Sequence, residues 1–392
     1  MTGRRVGVAV VGLGGAVATT AVAGVELLRL GTGDMSGLPL AGRTDLVPYE
    51  ALVFGGWDLA VDDLAKAAQV HRVVEPAHLE AVAEPMQEIR PWPAVADPAY
   101  CRNASGANVV PVGPLRGRVE HLRADLRRFQ QTQGLDRVVV VNLASTEARP
   151  DPGAPVLAEL DAFEAGLDHD DAAITPGLLY AYAAIQEGCP FVNFTPSLGA
   201  EVPALLQLAR RQGVPVAGKD GKTGQTLVKT VLAPAFRSRA LTVEGWYSTN
   251  ILGNRDGQIL DDPSSLASKL DTKGSVLNQI LGYDVDDHVV RIDYYRPRGD
   301  AKEAWDNIDL IGFLGQRMQM KIDFLCRDSI LAAPLVLELV RLIDEAARRG
   351  EAGAQEQLGY FFKAPTTSDG RPPEHALHAQ ERMLLSWLDQ PA

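Results

Sequence analysis

Cysteine is scarce in this chain, and long apolar runs are absent. The 392 residues include only three cysteines, Cys101, Cys189 and Cys326, which are widely separated. A disulfide framework and a cysteine-based zinc site are therefore not indicated, and we predict no metal site. No apolar run approaches the ~20 residues that span a bilayer, so we expect no membrane partner. The expected compartment is the cytoplasm.

Basic residues are also few. The formal net charge of −12 at pH 7 argues against a general nucleic-acid binder. Only nine of the 38 basic residues are lysines, and eight of these lie at or after residue 219. Since arginine fills most cationic positions, the lysines mark places where a compact ammonium with an adjustable pKa is useful. This asymmetry predicts a cationic site built from the C-terminal half, with codon usage as the competing explanation.

The chain does have the composition of a globular protein with a substantial core. Apolar residues make up 46% of it and charged residues 22%. Its length fits two domains, or one large domain with an insertion. Apolar runs that end in polar residues alternate with helical patterns in "VGVAVVG", "ALVFGGWDL", "RVVVVNLAST", "CPFVNFTPS" and "VPVAG". We therefore predict an α/β fold with a doubly wound parallel sheet, whose ligands bind at the carboxyl ends of the strands.

The pattern changes after about residue 230. "RALTVEGWYSTNILG", "DHVVRIDYYRP" and "QRMQMKIDFLC" predict strands of a second sheet, and Asp262-Pro263 predicts the start of a helix between the first two. "SILAAPLVLELVRLIDEAARR" predicts a long helix that returns to the first domain, and "EHALHAQERMLLSWLDQ" predicts a final amphipathic helix. We expect a first domain of residues 1–226 plus 331–392 and a smaller inserted α+β domain of residues 227–330.

A glycine-rich turn follows the first predicted strand. Gly12 and Gly14 match the first two glycines of the dinucleotide-binding pattern, but Val17 occupies the third position. Taken alone, this match is not specific for NAD. Asp58 follows the second predicted strand and could accept a ribose hydroxyl, or it could instead cap the next helix.

A second glycine-rich turn reads "GKDGKTGQT" (218–226). The motif of a nucleoside triphosphate loop can be aligned here in two ways, and neither fits. If it starts at Gly213, Asp220 stands where a hydroxyl residue is required. If it ends at Thr223, Val216 stands where the first glycine is required. The pattern still predicts a strand, a turn and the N-terminus of a helix. The free amides and the positive dipole end of such an N-terminus suit a phosphate. The competing interpretation is a glycine-rich turn with solvated lysines.

Four stretches in order, "GKDGKTGQT" (218–226), "NILGNRDG" (250–257), "RGDAK" (298–302) and "CRDSILAAP" (326–334), resemble the myo-inositol-1-phosphate synthase family. "GLGG", "FGGWD", "NLASTE", "FVNFTPS" and "FFKAP" extend the resemblance over nearly the whole chain. It implies a Rossmann-like domain, tightly held NAD, a hexose phosphate substrate and a homotetramer. The implied reaction converts glucose 6-phosphate to inositol 1-phosphate by oxidation at carbon 5, enolisation, aldol closure and re-reduction.

The resemblance also implies roles for particular residues. The implied catalytic residues are Lys269, Lys302, Lys363 and Asp328. The implied substrate-binding residues are Thr223, Gly224, Gln225, Lys273, Asn250 and Leu252. The implied cofactor-binding residues are Gly12, Gly14, Gly15, Ala16, Val17, Asp58, Ala144, Ser145, Thr146, Thr195, Asp220, Asn254 and Asp256. Lysine suits this chemistry because it can accept a proton when desolvated, or stabilise an oxyanion when charged.

Each of these residues could instead have a purely structural role. The segment 254–257 is a favourable turn by itself, and Asp328 could cap the helix that follows it. Any single lysine could be a solvated surface charge. Lys269 and Lys273 lie four residues apart on one face of a predicted helix, where they would repel each other mildly unless an anion lay nearby.

The chain also departs from the family pattern. Lys219 replaces an Asp, Leu227 replaces a Lys, and Ile251 stands where eukaryotic members have His. These changes leave open a related cyclase that acts on another hexose phosphate, such as fructose 6-phosphate, to give a five-membered ring. The sequence is also compatible with an NAD dehydrogenase that carries out net redox, and with a non-catalytic homologue that senses NAD or phosphate.

Overall fold

A computed structural model describes residues 3–101, 105–111, 113–151, 153–253 and 276–390. A large sheet is formed by β1 (Val6–Val11), β2 (Leu52–Asp58), β3 (Trp92–Pro93), β4 (Arg137–Asn142), β5 (Phe191–Asn193), β6 (Pro215–Gly218) and β11 (Gly353–Ala354). All neighbouring strands in it are parallel, in the order β11-β6-β5-β4-β1-β2-β3.

Helices cover both faces of this sheet, and one further helix, Gln225–Ser238, packs against a second sheet. Those with both ends described are α1 (Ala16–Arg29), α2 (Leu64–His71), α3 (Pro76–Ala81), α4 (Ala83–Gln87), α5 (Leu115–Gln133), α6 (Pro155–Ala158), α7 (Leu160–Asp168), α8 (Pro176–Gln186), α9 (Pro203–Gln212), α10 (Gln225–Ser238), α11 (Asp328–Arg348) and α12 (Leu377–Leu388). The predicted doubly wound α/β fold is confirmed.

The apolar run of β4 shows why its residues form a central strand. Val139 and Val141 belong to the apolar cluster that contains α1 and α11, whereas Val138 and Val140 belong to the cluster that contains α5, α8 and α9. All four valines are buried, because successive residues of a strand point to opposite faces and both faces are covered.

The strand order places a crevice next to β1. This strand pairs with β2 on one side and with β4 on the other, so the chain changes direction across the sheet at this point. In open α/β sheets, ligands bind outside the carboxyl ends of the strands at such a switch. The loops that begin at Gly12 and Leu143 therefore face a common crevice.

A second sheet contains β7 (Thr242–Leu252), β8 (Asp287–Tyr294), β9 (Ala301–Ile311) and β10 (Arg317–Arg327), in the order β10-β9-β7-β8. β7, β8 and β10 confirm the predicted strands. β9 was not predicted, since its alternating pattern interleaves charged residues with the inward-facing Ala304, Ile308 and Leu310. The helix predicted from Asp262-Pro263 lies outside the described residues, and the predicted domain boundaries stay a prediction.

A buried ion pair ties α11 to the chain before β2. Arg341 Nη1 lies 2.8 Å from Glu338 Oε2, and the two side chains are 2% and 0% exposed. Glu338 Oε1 also accepts hydrogen bonds from the Tyr49 hydroxyl (2.7 Å) and the Leu40 amide (2.8 Å). Removing one partner of such a pair leaves the other charge buried without compensation.

We predict that Glu338→Leu lowers the free energy of unfolding by about 3–5 kcal/mol, because Arg341 remains buried without its carboxylate. Arg348→Ala is the matched control on the same helix: the Arg348 side chain is 43% exposed and Glu345 keeps its second ion pair with Arg349, so the change costs less than about 1 kcal/mol. Urea unfolding of both variants measures the difference. Equal destabilisation by the two changes would contradict the prediction.

Candidate active site

The crevice beside β1 begins with a glycine turn. Gly12 has a left-handed backbone (φ +88°), and a Cβ there would lie 3.1 Å from the carbonyl oxygen of Leu143. This position therefore favours glycine both by backbone angle and by space. Gly15 is the N-cap of α1, and no side chain caps the helix. The first amides of α1 are thus open towards an anion such as a pyrophosphate.

Asp58 lies at the end of β2 and holds this turn. Its Oδ2 accepts a hydrogen bond from the Gly14 amide and its Oδ1 accepts one from the Ala60 amide, both at 2.9 Å. The hypothesis that Asp58 caps the next helix is wrong, because Asp63 caps α2 by accepting from the Lys66 amide (3.0 Å). A Cβ on Gly14 would lie 3.2 Å from the Asp58 carboxyl group, so this glycine too keeps the crevice open.

The crevice has a volume of ≈ 330 Å³. Its lining includes eleven of the predicted cofactor residues: Gly12, Gly14, Gly15, Ala16, Val17, Asp58, Ala144, Ser145, Thr146, Thr195 and Asp220. The predicted catalytic residues Lys302, Lys363 and Asp328 line it as well, together with Thr223. Lys269, Lys273, Asn254 and Asp256 lie outside the described residues.

The loop after β6 is held by backbone hydrogen bonds to a segment near the C-terminus. These bonds run from Lys222 N to Phe361 O (2.8 Å), from Lys363 N to Asp220 O (2.7 Å) and from Thr366 N to Gly218 O (2.7 Å). Gly221 packs so closely on the ring of Phe194 that a Cβ would overlap it. The loop then enters α10 with Gly224 as N-cap and no side-chain cap. This geometry suits a phosphate.

Two lysine–aspartate pairs stand where this loop meets the crevice. Lys363 Nζ lies 2.6 Å from Asp220 Oδ1, and both side chains are buried. Lys302 Nζ lies 3.2 Å from Asp328 Oδ1, which also accepts a hydrogen bond from the Thr223 hydroxyl (3.1 Å). The hypothesis that Asp328 caps α11 is wrong: it is the first residue of the helix, and no side chain caps it.

Gln225 and Asn250, which were predicted to bind substrate, form a buried bridge between α10 and β7. Asn250 Nδ2 donates to Gln225 Oε1 at 2.6 Å. Their remaining polar atoms, Gln225 Nε2 and Asn250 Oδ1, have no hydrogen-bond partner within the described part of the chain. One donor and one acceptor are thus left for a polar ligand. Leu252, two residues further along β7, is buried.

Two lysines of the loop turn away from the crevice. Lys219 Nζ lies 3.1 Å from Glu201 Oε1. Lys222 Nζ donates to Gln380 Oε1 (2.5 Å), and burial lowers the pKa of this lysine to about 7. The loop is therefore not a turn with solvated lysines, and its own lysines do not supply the charge of the site.

A family model described as myo-inositol-1-phosphate synthase, an NAD-binding family, matches residues 27–389. The chain belongs to the myo-inositol-1-phosphate synthase family. NAD is accordingly its cofactor, and the residues present fit it, since Gly12 and Gly14 keep open the space that a Cβ would fill.

Individual members of this family are similar over almost the whole chain. Inositol-3-phosphate synthase 1 of Bacteroides thetaiotaomicron is 42% identical over 98% of this chain and 95% of its own. The crystal structure of inositol-3-phosphate synthase from Caenorhabditis elegans matches with a TM-score of 0.92 at 28% identity, over 99% of this chain and 86% of its own. A myo-inositol-1-phosphate synthase-related protein from Thermotoga maritima matches with a TM-score of 0.81 at 26% identity, over 98% of both chains.

Glu147 is a crevice residue that the sequence motifs did not single out. Its Oε1 accepts a hydrogen bond from the Gly177 amide (2.9 Å) at the start of α8, and burial raises the pKa of its carboxyl group to about 7. Its position directly after the polar end of β4 was the available signal. No group of three or more His, Cys, Asp or Glu side chains in the described residues is arranged to hold a metal ion.

We predict that Gly12→Ala weakens NAD binding about tenfold or more, because a left-handed backbone costs a non-glycine residue ~1–2 kcal/mol and the Cβ would press on Leu143. Isothermal titration with NAD measures the effect. Gly24→Ala in α1 is the matched control. Nothing lies within 4 Å of its added Cβ, so NAD affinity should stay the same while stability rises by roughly 1 kcal/mol. Unchanged affinity in Gly12→Ala would contradict the prediction.

The raised pKa of Glu147 predicts a pH-dependent stability. The folded state holds this proton up to about pH 7, whereas the unfolded state loses it near the ordinary value of 4.5. The stability that the folded state gains from protonated Glu147 is therefore complete below pH 4.5, and it is lost as pH rises through about 7. Glu147→Gln keeps the acceptor for Gly177 but does not ionise. Relative to the native chain it should gain up to about 3 kcal/mol across this window, measured by urea unfolding. If the difference in unfolding free energy between Glu147→Gln and the native chain does not change with pH, the prediction is contradicted.

Proposed function

We propose that the protein is an NAD-dependent isomerase that converts glucose 6-phosphate to 1L-myo-inositol 1-phosphate. The observation that carries this proposal is the convergence of Lys302, Lys363, Asp220 and Asp328 at the junction of the cofactor crevice and the loop before α10. The 42% identity to a protein named inositol-3-phosphate synthase 1 supports the choice of substrate.

In this proposal the loop and the start of α10 bind the substrate phosphate. Thr223, Gly224 and Gln225 stand at the N-terminus of the helix, where the dipole favours an anion. Asn250 and Leu252 on β7 contact the sugar next to them. Lys269, Lys273, Asn254 and Asp256, which lie outside the described residues, are proposed to complete the substrate and nicotinamide sites.

NAD, when bound in the crevice, supplies reversible hydride acceptance, so the overall isomerisation involves no net redox. The lysines and aspartates manage the protons and charge of the remaining steps. Enolisation and aldol closure each build negative charge on a sugar oxygen, and an ammonium group held beside that oxygen stabilises it. We assign Lys363 to the oxygen that becomes negative in ring closure, and Lys302 with Asp328 to proton transfer beside it. The aspartates hold both ammonium groups in place before the substrate enters.

We also propose a cytoplasmic homotetramer. The second sheet and its turns expose large apolar side chains, as expected of a surface that another subunit covers. These are Tyr295, Phe313, Leu314 and Leu325. Cys101, Cys189 and Cys326 form no disulfide with one another, which agrees with a reducing compartment. None of the described helices is both long and apolar enough to cross a membrane.

The decisive experiment incubates the purified protein and NAD with glucose 6-phosphate and, separately, with fructose 6-phosphate, and identifies the products by ³¹P and ¹³C NMR. We predict an inositol phosphate from glucose 6-phosphate without accumulation of NADH. Accumulating NADH would instead indicate a dehydrogenase, and a five-membered carbocycle from fructose 6-phosphate would indicate the related cyclase. Binding without conversion would indicate a sensing homologue.

A variant of Lys363 tests its assigned role in the same reaction, and a variant of Lys66 is the control. Lys363→Met should lower the turnover number by ~10²–10³, which is the usual cost of removing one oxyanion donor. Lys66→Met changes an exposed lysine of α2 that lines no part of the crevice, and its turnover should match that of the native chain. If the two variants behave alike, the assignment of Lys363 is wrong.

A further inference from the structure

A lysine and a histidine lie together in the second domain, one helical turn from the phosphate loop. Lys229 of α10 is 2% exposed, and its Nζ lies 2.7 Å from Nε2 of His288 on β8. The ammonium also lies 5.6 Å from the ring centre of Trp246. Because one nitrogen must accept the proton that the other donates, at least one of the two groups is neutral. Neither residue lines the cofactor crevice.

These groups adjoin a largely apolar cluster. Their neighbours in the cluster between α10 and the second sheet include Ala233, Phe236, Val243, Ile308 and Leu310. Burial lowers the pKa of Lys229 to about 8, while the Asp306 carboxylate acts in the opposite direction. Replacing buried charges by apolar groups of similar volume is often neutral or stabilising. Stability alone therefore does not account for a lysine at this position.

Asp306 of β9 lies opposite Ser248 of β7 and extends the cluster. It is 1% exposed, and its Oδ1 accepts hydrogen bonds from Trp246 Nε1 (2.8 Å) and the Ser248 hydroxyl (2.6 Å). Trp246, Ser248 and Asn250 follow one another on the inner face of β7, since side chains alternate along a strand. A continuous series of buried polar groups thus leads from the cluster to the Asn250–Gln225 bridge.

Helix α10 also has buried polar residues on one face. Gln225 and Lys229 are four residues apart and so lie on one face of α10, separated by about 6 Å along the axis. Helix and sheet therefore make polar contact at two levels: Gln225 with Asn250 beside the phosphate loop, and Lys229 with His288 one turn deeper. Loss of the Lys229–His288 contact would therefore change how Gln225 packs against Asn250.

We propose that Lys229 and His288 are positioning residues. Their hydrogen bond fixes α10 against β7 and β8, and this holds Gln225 and Asn250 in the geometry that receives the phosphate and the adjoining sugar. The proposal rests on the proposed function for the identity of the substrate. Displacing a binding group by about 1 Å costs on the order of 10²-fold in rate, so a small shift of α10 is sufficient to affect catalysis.

The first test is Lys229→Met, which keeps the length of the side chain and removes its charge. We expect a lower melting temperature, because the buried Asp306 carboxylate loses a nearby cation, together with unchanged NAD affinity and a fall in kcat/KM for glucose 6-phosphate of roughly 10²-fold that includes a lower kcat. The exposed Lys66→Met on α2 is the control and should leave all three unchanged. Native kcat/KM in Lys229→Met would overturn the proposal.

The second test uses a pair of variants at the half-buried His288, so that it remains decisive if Lys229→Met does not fold. The carbonyl oxygen of Gln can accept from Lys229, whereas Leu cannot. His288→Gln should therefore recover at least about a tenth of the native kcat/KM, and His288→Leu should fall by roughly 10²-fold at a similar melting temperature. Equal kinetics in the two variants would overturn the proposal, because a purely structural role does not distinguish an acceptor from an apolar group.

Affinity for inorganic phosphate separates this proposal from the proposed function. Calorimetry should show about tenfold weaker phosphate binding in Lys229→Met and in His288→Leu than in the native chain and His288→Gln. If the native chain converts no hexose phosphate, the proposed function fails, yet this phosphate series still tests the positioning role. If conversion is observed but phosphate affinity and kcat/KM are the same in all variants, only the positioning role fails.

Discussion

The buried ion pair between Lys363 and Asp220 is the contact on which the rest of the site depends. Its side chains are 9% and 4% exposed, and the residues are 143 positions apart. Burying two charges costs several kcal/mol in lost hydration, which close pairing and added hydrogen bonds must offset. The backbone bonds between 218–222 and 361–366 supply that support. The C-terminal segment thereby fixes the loop after β6, which we propose to bind phosphate, and this loop fixes the start of α10.

The second pair depends on a different constraint, the register of the second sheet. β9 and β10 are antiparallel, with Cys326 opposite Lys302. Because α11 starts immediately after β10, Asp328 emerges beside Lys302 at the edge of the crevice. A shift of one residue in this register would turn the Lys302 side chain to the other face of the sheet. The second sheet thus positions Lys302 and Asp328 at a crevice that is formed by the first sheet.

Much of this architecture follows from local sequence patterns. Apolar runs that end in polar residues marked β1, β2, β4, β5 and β6, and the glycine turn after β1 was recognised by its spacing. β9 escaped prediction because the inward-facing Asp306 is charged, and the hydrogen bonds that stabilise it there come from Trp246 and Ser248 on the neighbouring strand. The competing interpretation of Asp58 and Asp328 as helix caps was wrong for a similar reason. Each carboxylate had a better partner far away in the sequence, at Gly14 and at Lys302.

The sequence by itself determined the fold class, the two glycine turns and the family, because each depends on the order of neighbouring residues or on short motifs. It also indicated that lysines of the C-terminal half matter. The family resemblance already implied roles for Lys302 and Lys363, but only the tertiary structure decided which of the described lysines line the crevice. Lys219 and Lys222 belong to the phosphate loop yet turn away to Glu201 and Gln380, whereas Lys302 and Lys363 enter the crevice from other segments. The direction of a buried ammonium group is decided by the acceptor that compensates its lost hydration, and that acceptor is placed by the fold.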